Sequence, residues 1–260
     1  MFEIDLIKNY ENPPLNDEWW KSSILFQALN DFNLATYSRH LYSVPANLPT
    51  NTLTDLLNRN GSDKAKDHRY DLFYIHLTEL IKNINILVEI GIGSQKDFLH
   101  SSMPAGFQPG SSIYTWKEFF DPKLLVGLDI DSDIEINLPN YNFIYCDQLN
   151  EESIRKASRD LKLLGDADLI IDDGLHSSCS NLNSLLGFID NLTENGFYII
   201  EDISPDVIGL WQPTMEKLRD EIYCATIQFI GDEVHRNSNL LVFTKTQKQF
   251  SRLIERFTYT

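Results

Sequence analysis

The sequence predicts an α/β fold built on a doubly wound, mostly parallel sheet, and three observations carry that prediction. Five apolar runs recur along the chain, each with acids at or near its carboxyl end: Ile86–Ile90 with Glu89, Leu124–Asp129, Asn142–Asp147, Asp168–Asp173 and Gly196–Asp202. Short runs of this kind suit parallel strands buried on both faces. Helical patterns alternate with them, as successive βα units require. The first run also leads directly into Gly91-Ile92-Gly93, a spacing that lets the backbone turn tightly and approach a ligand closely. In an open sheet the ligand crevice lies outside the carboxyl ends of the strands, so the five acids or acid pairs are expected to share one cleft.

Residues 1–57 carry Pro13, Pro14, Pro45 and Pro49 among many Asn and aromatic residues, with short helical stretches such as Trp19 to Leu29. They are expected to form an extension that contacts an acceptor or another subunit, and residues 58–260 the main domain. Apolar side chains at Leu72, Phe73, Ile75, Leu77, Leu80 and Ile81 predict a helix over Tyr70 to Ile81, leading into the first strand. The interval from Gly93 to Asp129 is longer than a βα unit needs, and Ser101 to Ser112 is rich in Ser, Pro and Gly. It is expected to be an insertion beside the glycine loop, either a functional lid or a solvated surface loop. Further helices are predicted over Glu151 to Leu164, Cys179 to Leu192 and Pro213 to Glu221. Thr226 to Ile230 and Leu240 to Phe243 predict two closing strands joined as a hairpin through Gly231 to Asn237, followed by a helix over Gln247 to Phe257.

Composition narrows the function. With 42% hydrophobic and 12% aromatic residues the chain has ample material for a core. The 38 Asp and Glu against 22 Lys and Arg give a net charge of −16, which argues against phosphate-backbone binding as the main task and favours a small-molecule acceptor over nucleic acid. Cys146, Cys179 and Cys224 lack the C-x-x-C spacing of a zinc or disulfide framework. Neither a signal-peptide pattern at Met1 to Asp5 nor a membrane-length apolar run is present, so a cytoplasmic location without membrane contact is expected.

Two constellations carry chemistry. In Glu89-Ile90-Gly91-Ile92-Gly93 the glycines suit a nucleotide cofactor, but Lys96 stands where a dinucleotide fingerprint has its third glycine. The second is Asp172-Asp173-Gly174-Leu175-His176, followed 25 residues after His176 by Glu201-Asp202. Asp173, Glu201 and Asp202, brought together at neighbouring strand ends, repel one another unless a cation neutralises them, and an oxygen-only ligand set points to Mg²⁺ or a similar hard ion. Helix capping accounts for one such acid more easily than for two adjacent pairs. His176 is the candidate general base, since imidazole is the side chain best suited to take a proton at cellular pH.

The E-x-G-x-G element resembles motif I of the class I S-adenosylmethionine (SAM) methyltransferases. Together with D-D-G-x-H and E-D it resembles the metal-dependent sugar O-methyltransferases of macrolide biosynthesis, and more loosely the cephalosporin-hydroxylase-type family. Gly61-Ser62-Asp63-Lys64 with His68 and Tyr70, Gly110-Ser111-Ser112 through Trp116 and Phe119-Phe120, and Asp147-Gln148 match further segments of that group, with Ile113 where Leu is usual. The resemblance covers roughly residues 58–245. It implies a Rossmann-like class I methyltransferase domain, with an antiparallel C-terminal hairpin, using SAM and Mg²⁺ or another divalent cation. It further implies that Gly91 and Gly93 pass under the methionine part of SAM, that Asp129 binds the ribose hydroxyls, and that Asp147 or Gln148 meets the adenine edge. Ser111 and Ser112 line the amino-acid end, Glu89 acts through the loop, and Asp172, Asp63 and Lys64 fall on the cofactor side. Asp173, Glu201 and Asp202 hold the metal, and His176 and Asp173 are catalytic. The expected activity is O-methylation of a small polar acceptor, a sugar or its conjugate. The alternatives are a phosphorylated metabolite, a surface-polysaccharide precursor, a hydroxylase-like reaction, or a non-catalytic SAM-binding scaffold. A homo-oligomer is compatible with the aromatic N-terminal segment.

Overall fold

The computed structural model describes residues 41–99, 102–103, 106–204, 207–208, 211, 222–230 and 239–258. The helices expected at Trp19 to Leu29 and Pro213 to Glu221, the Gly231 to Asn237 connection and His235 lie outside them.

Eight strands form one sheet: β1 (Leu41–Pro45), β2 (Ile86–Ile90), β3 (Leu124–Asp129), β4 (Tyr141–Tyr145), β5 (Ala167–Asp172), β6 (Leu192–Ile203), β7 (Tyr223–Ile230) and β8 (Asn239–Thr244). Their order is β1-β7-β8-β6-β5-β2-β3-β4. Strands β4, β3, β2, β5 and β6 run parallel, and β8 pairs antiparallel with both β6 and β7. The sheet is thus mostly parallel with an antiparallel C-terminal hairpin. All five residues of β2 are buried, which is why Ile86 to Ile90 reads as an apolar run broken only by Glu89 rather than as an alternation.

Six α-helices flank the sheet among the described residues: α1 (Thr52–Asn60), α2 (Asp71–Leu80), α3 (Ser111–Phe119), α4 (Glu151–Leu164), α5 (Ser178–Phe188) and α6 (Gln247–Thr258). Local chemistry sets their ends. Asn51 caps α1 with its side chain on the Leu53 and Thr54 amides, and Gly61 closes the helix in the left-handed region. Asn150 and Ser177 cap α4 and α5 in the same way. Two apolar cores result. One, centred on Val88, Ile170, Leu185 and Phe188, lies under α4 and α5. The other, centred on Leu87, Ile171, Phe73, Tyr74 and Trp116, lies under α1, α2, α3 and α6.

Three boundaries differ from the sequence expectation. The division between residues 57 and 58 runs through α1, and Leu41–Pro45 pairs parallel with β7, so within the expected extension one segment joins the sheet and another begins a helix of the main domain. The strand is short and ends in Pro45, a residue that sheets accept at edge positions such as this one. The helix expected to reach Leu192 stops at Phe188 and passes through a 3₁₀ turn at Ile189–Asn191. Leu192 is already paired with Ala167, so β6 begins four residues before Gly196 and carries a register shift. Among the described residues no helix is long and apolar enough to cross a membrane.

Candidate active site

The carboxyl ends of β2, β3, β5 and β6 surround a cleft of about 240 Å³. A smaller cavity of about 90 Å³ shares Gly91, Asp129 and Gly174 with it and adds Asp147 and Gln148. The strand-end acids therefore converge largely as the topology requires.

The glycine loop forms one wall. Gly91 and Gly93 have φ of +82° and +88°, where side chains other than hydrogen are strained. A Cβ at Gly91 would overlap the Asp173 carbonyl and the Gly174 Cα, and one at Gly93 would overlap Met103. The close approach that demands glycine at residue 91 is thus that of the neighbouring strand end. Asp129, at the end of β3, accepts from the Ile92 amide at 2.9 Å and the Asp131 amide at 2.8 Å. Burial raises its pKa against the pull of these donors. Its carboxylate clamps the loop while lining both cavities. Ser111 and Ser112 open α3 at the cleft. Ser112 donates to Glu89 at 2.8 Å and Ser111 to the Gln108 carbonyl at 2.7 Å.

Opposite the loop lies an acid centre in two layers. In the upper layer His176 Nε2 is 3.8 Å from Asp173 Oδ1 and 3.6 Å from Asp202 Oδ2. Asp173, His176 and Asp202 offer ligand atoms within 4.8 Å of one another. His176 and Asp202 both have φ of +57°, an uncommon state for residues other than glycine, and one that clusters at functional sites. Asp202 Oδ1 accepts from Tyr70 at 2.6 Å and lies 3.2 Å from His68 Nδ1. Burial pushes the Asp202 pKa up, but His176, His68 and the Tyr70 hydroxyl outweigh it and hold the group below its ordinary value.

The lower layer is buried. Lys64, 2% exposed, bonds to Asp173 Oδ2 and Glu201 Oε2 and lies 3.5 Å from Glu89 Oε1. Burial alone would lower its pKa, yet Asp173, Glu201 and Glu89 hold it well above the ordinary value. Glu201 is fully buried and its other oxygen accepts from Tyr74. Burial raises Glu89 to about 7, with Lys64 opposing.

Several expected site residues therefore stand where the sequence places them and others do not. Asp63, Gly91, Gly93, Ser111, Ser112, Asp129, Asp173, His176, Glu201 and Asp202 line the larger cleft, and Asp147 and Gln148 the smaller. Glu201 is separated from the Asp173–His176–Asp202 group, because Lys64 and Tyr74 engage both its oxygens. Glu89 and Asp172 lie behind the cleft wall. Asp172 accepts from Gln148 at 2.8 Å, and burial raises its pKa to about 7. The Gln148 side chain is itself occupied by Asp172, Ser184 and the Leu175 amide, leaving Asp147 as the more available group of that pair. Lys64 also lines the larger cleft, with its ammonium on the carboxylates. Tyr74 carried no expected role, yet Tyr70 and Tyr74 are one helical turn apart and together hold Asp202 and Glu201; that i, i+4 spacing was the available signal.

No family model matches the chain. It is 30% identical over 152 residues to an 8-demethyl-8-alpha-L-rhamnosyl tetracenomycin-C 2'-O-methyltransferase of Streptomyces olivaceus, covering 58% of this chain and 37% of that protein. It is 31% identical over 116 residues to an L-olivosyl-oleandolide 3-O-methyltransferase of Streptomyces antibioticus, covering 45% of this chain and 27% of that one. The matched segments thus span well under half of either relative. Among solved structures, MycE methyltransferase of the mycinamycin pathway, in complex with Mg and SAH, superposes with a TM-score of 0.58 at 21% identity, covering 77% of this chain and 56% of that one. The fold is that of a Rossmann-like methyltransferase.

Proposed function

We propose that this chain is a SAM-dependent, divalent-cation-assisted O-methyltransferase acting on a hydroxyl of a small polar acceptor, a sugar or sugar conjugate. The observation that carries the reading is the meeting, in one cleft, of a two-glycine loop clamped by Asp129 with the group Asp173, His176 and Asp202. The similar proteins named above are sugar O-methyltransferases, which favours a sugar hydroxyl over a phosphorylated acceptor.

The residues fit both groups that the reaction needs. Gly91 and Gly93 line the larger cleft beside Asp129 at positive φ, so that loop backbone would face a cofactor lying along it. Asp173 and Asp202 present carboxylate oxygens on either side of His176, a donor set suited to a divalent cation. When bound, SAM supplies an electrophilic methyl group and the cation acidifies the acceptor hydroxyl. The chain's own residues do the rest. Tyr70 fixes Asp202 Oδ1 and leaves Oδ2 toward His176. Asp173 is shared between Lys64 through Oδ2 and the cleft through Oδ1. His176, about one third exposed, takes the acceptor proton at Nε2 and is held for that task by the two carboxylates.

The test is methyl transfer from SAM, followed by mass spectrometry, across glycosides, sugar nucleotides and phosphorylated small acids. A methylated glycoside supports the proposal. Turnover confined to the phosphorylated acids would replace the sugar acceptor, and tight SAM binding with no turnover on any acceptor would favour a binding scaffold.

A further inference from the structure

The acid centre holds more negative charge than a single divalent cation between Asp173 and Asp202 would address. Glu201 is fully buried, Glu89 is fully buried behind it, and Asp173 reaches both layers. One ammonium, that of Lys64, meets all three, and it is 2% exposed. Its stem comes from the turn between α1 and α2, not from the sheet, so the chain brings a cation to the strand ends from outside. Buried carboxylates at this separation are tolerated only when paired.

We propose that Lys64 is a resident cation and positioning residue: it pairs with the buried carboxylates and offsets part of their charge, so that the site is preassembled without metal and takes a divalent ion through the oxygens left open, Asp173 Oδ1 and Asp202 Oδ2. The inference rests on the reading of Asp173 and Asp202 as a cation site. Two consequences separate this role from a plain core contact. Removing the ammonium leaves an acid cluster that must be relieved by a divalent cation or by proton uptake, so stability becomes metal-dependent. It also deepens the negative potential at the open oxygens, so affinity for a divalent ion rises.

The experiment uses the full chain and Mn²⁺ as probe, with uptake followed by the loss of the free-ion electron paramagnetic resonance signal and melting followed in EDTA and in Mn²⁺. Lys64→Met should melt roughly 10 °C below wild type in EDTA, regain at least half of that in Mn²⁺, and bind Mn²⁺ about fivefold or more tightly. Should Lys64→Met fail to fold, Lys64→Met combined with Glu201→Gln removes the charge and its counter-charge together. It should fold and melt closer to wild type than Glu201→Gln alone. A Lys64→Met protein that matches wild type in EDTA and in Mn²⁺ affinity overturns the role of Lys64 and leaves the metal site intact. So does one that is destabilised but unmoved by Mn²⁺. Wild-type protein that takes up no Mn²⁺ overturns the metal site itself, together with this inference.

Discussion

Asp172 offers a sharp separation of stability from function. It sits at the end of β5, fully buried, with Gln148 Nε2 donating to Oδ1 at 2.8 Å and the Tyr198 hydroxyl 3.4 Å from Oδ2. Burial raises its pKa from 3.8 to about 7 against the pull of Asn181, Gln148 and His176. A carboxyl that is harder to ionise in the folded state binds more protons there than in the unfolded chain between those two values. Its contribution to stability is therefore fully present below about pH 4 and is lost as the pH rises to about 7. The separation of about three pH units corresponds to on the order of 4 kcal/mol. Asp172→Asn keeps an oxygen for Gln148 and removes the charge. In EDTA at pH 8 it should melt roughly 10 °C above wild type, with the two proteins converging toward pH 4. Calorimetry should find its SAM affinity within about threefold of wild type, because Asp172 lies behind the cleft wall. A variant less stable than wild type at pH 8, or a difference independent of pH, would refute the burial argument. A tenfold loss of SAM affinity would return Asp172 to the cofactor site.

Other substitutions probe the cleft directly. Gly91→Ala places a Cβ against the Asp173–Gly174 backbone at positive φ, which should cost more than the roughly 1–3 kcal/mol of an isolated strained residue and lower SAM affinity; chemical denaturation and calorimetry read the two effects. Asp202→Ala should lose at least about 100-fold in turnover while keeping SAM affinity, and turnover in EDTA should return on addition of Mg²⁺ or Mn²⁺. His176→Ala should reduce kcat by about 10²- to 10⁴-fold with Mn²⁺ affinity little changed; a parallel collapse of Mn²⁺ affinity would make it a ligand rather than a base. Tyr74→Phe removes the hydroxyl that donates to buried Glu201 and should cost about 1–3 kcal/mol in denaturant unfolding.

Strands β2, β3, β5 and β6 were legible because they are largely buried and carry acids at their carboxyl ends. Glu151 to Leu164 was equally clear, since its apolar positions Ile154, Ala157 and Leu161 keep helical spacing. Strand β1 was not legible: Leu41 to Pro45 is five residues long, and a proline reads as loop until its place at a sheet edge is known. Residue type and strand-end position pointed to Asp129, Asp173, His176 and Asp202 as neighbours in one cleft. They did not reveal that both Glu201 oxygens are engaged, because that depends on Lys64 and Tyr74, more than 120 residues distant in sequence. Nor did they separate Asp172 from Asp173, whose side chains leave opposite faces of one strand end. Burial, unlike residue type, is not encoded locally.

Methyl transfer in the presence and absence of a divalent cation tests the central claim most directly. Purified protein, SAM and a panel of deoxyhexosyl and hexosyl glycosides should yield a singly O-methylated product with Mg²⁺, none in excess EDTA, and none from Asp202→Ala with Mg²⁺. Undiminished product in EDTA, or an absence of SAM binding by calorimetry, would contradict the assignment of this cleft to cation-assisted methylation.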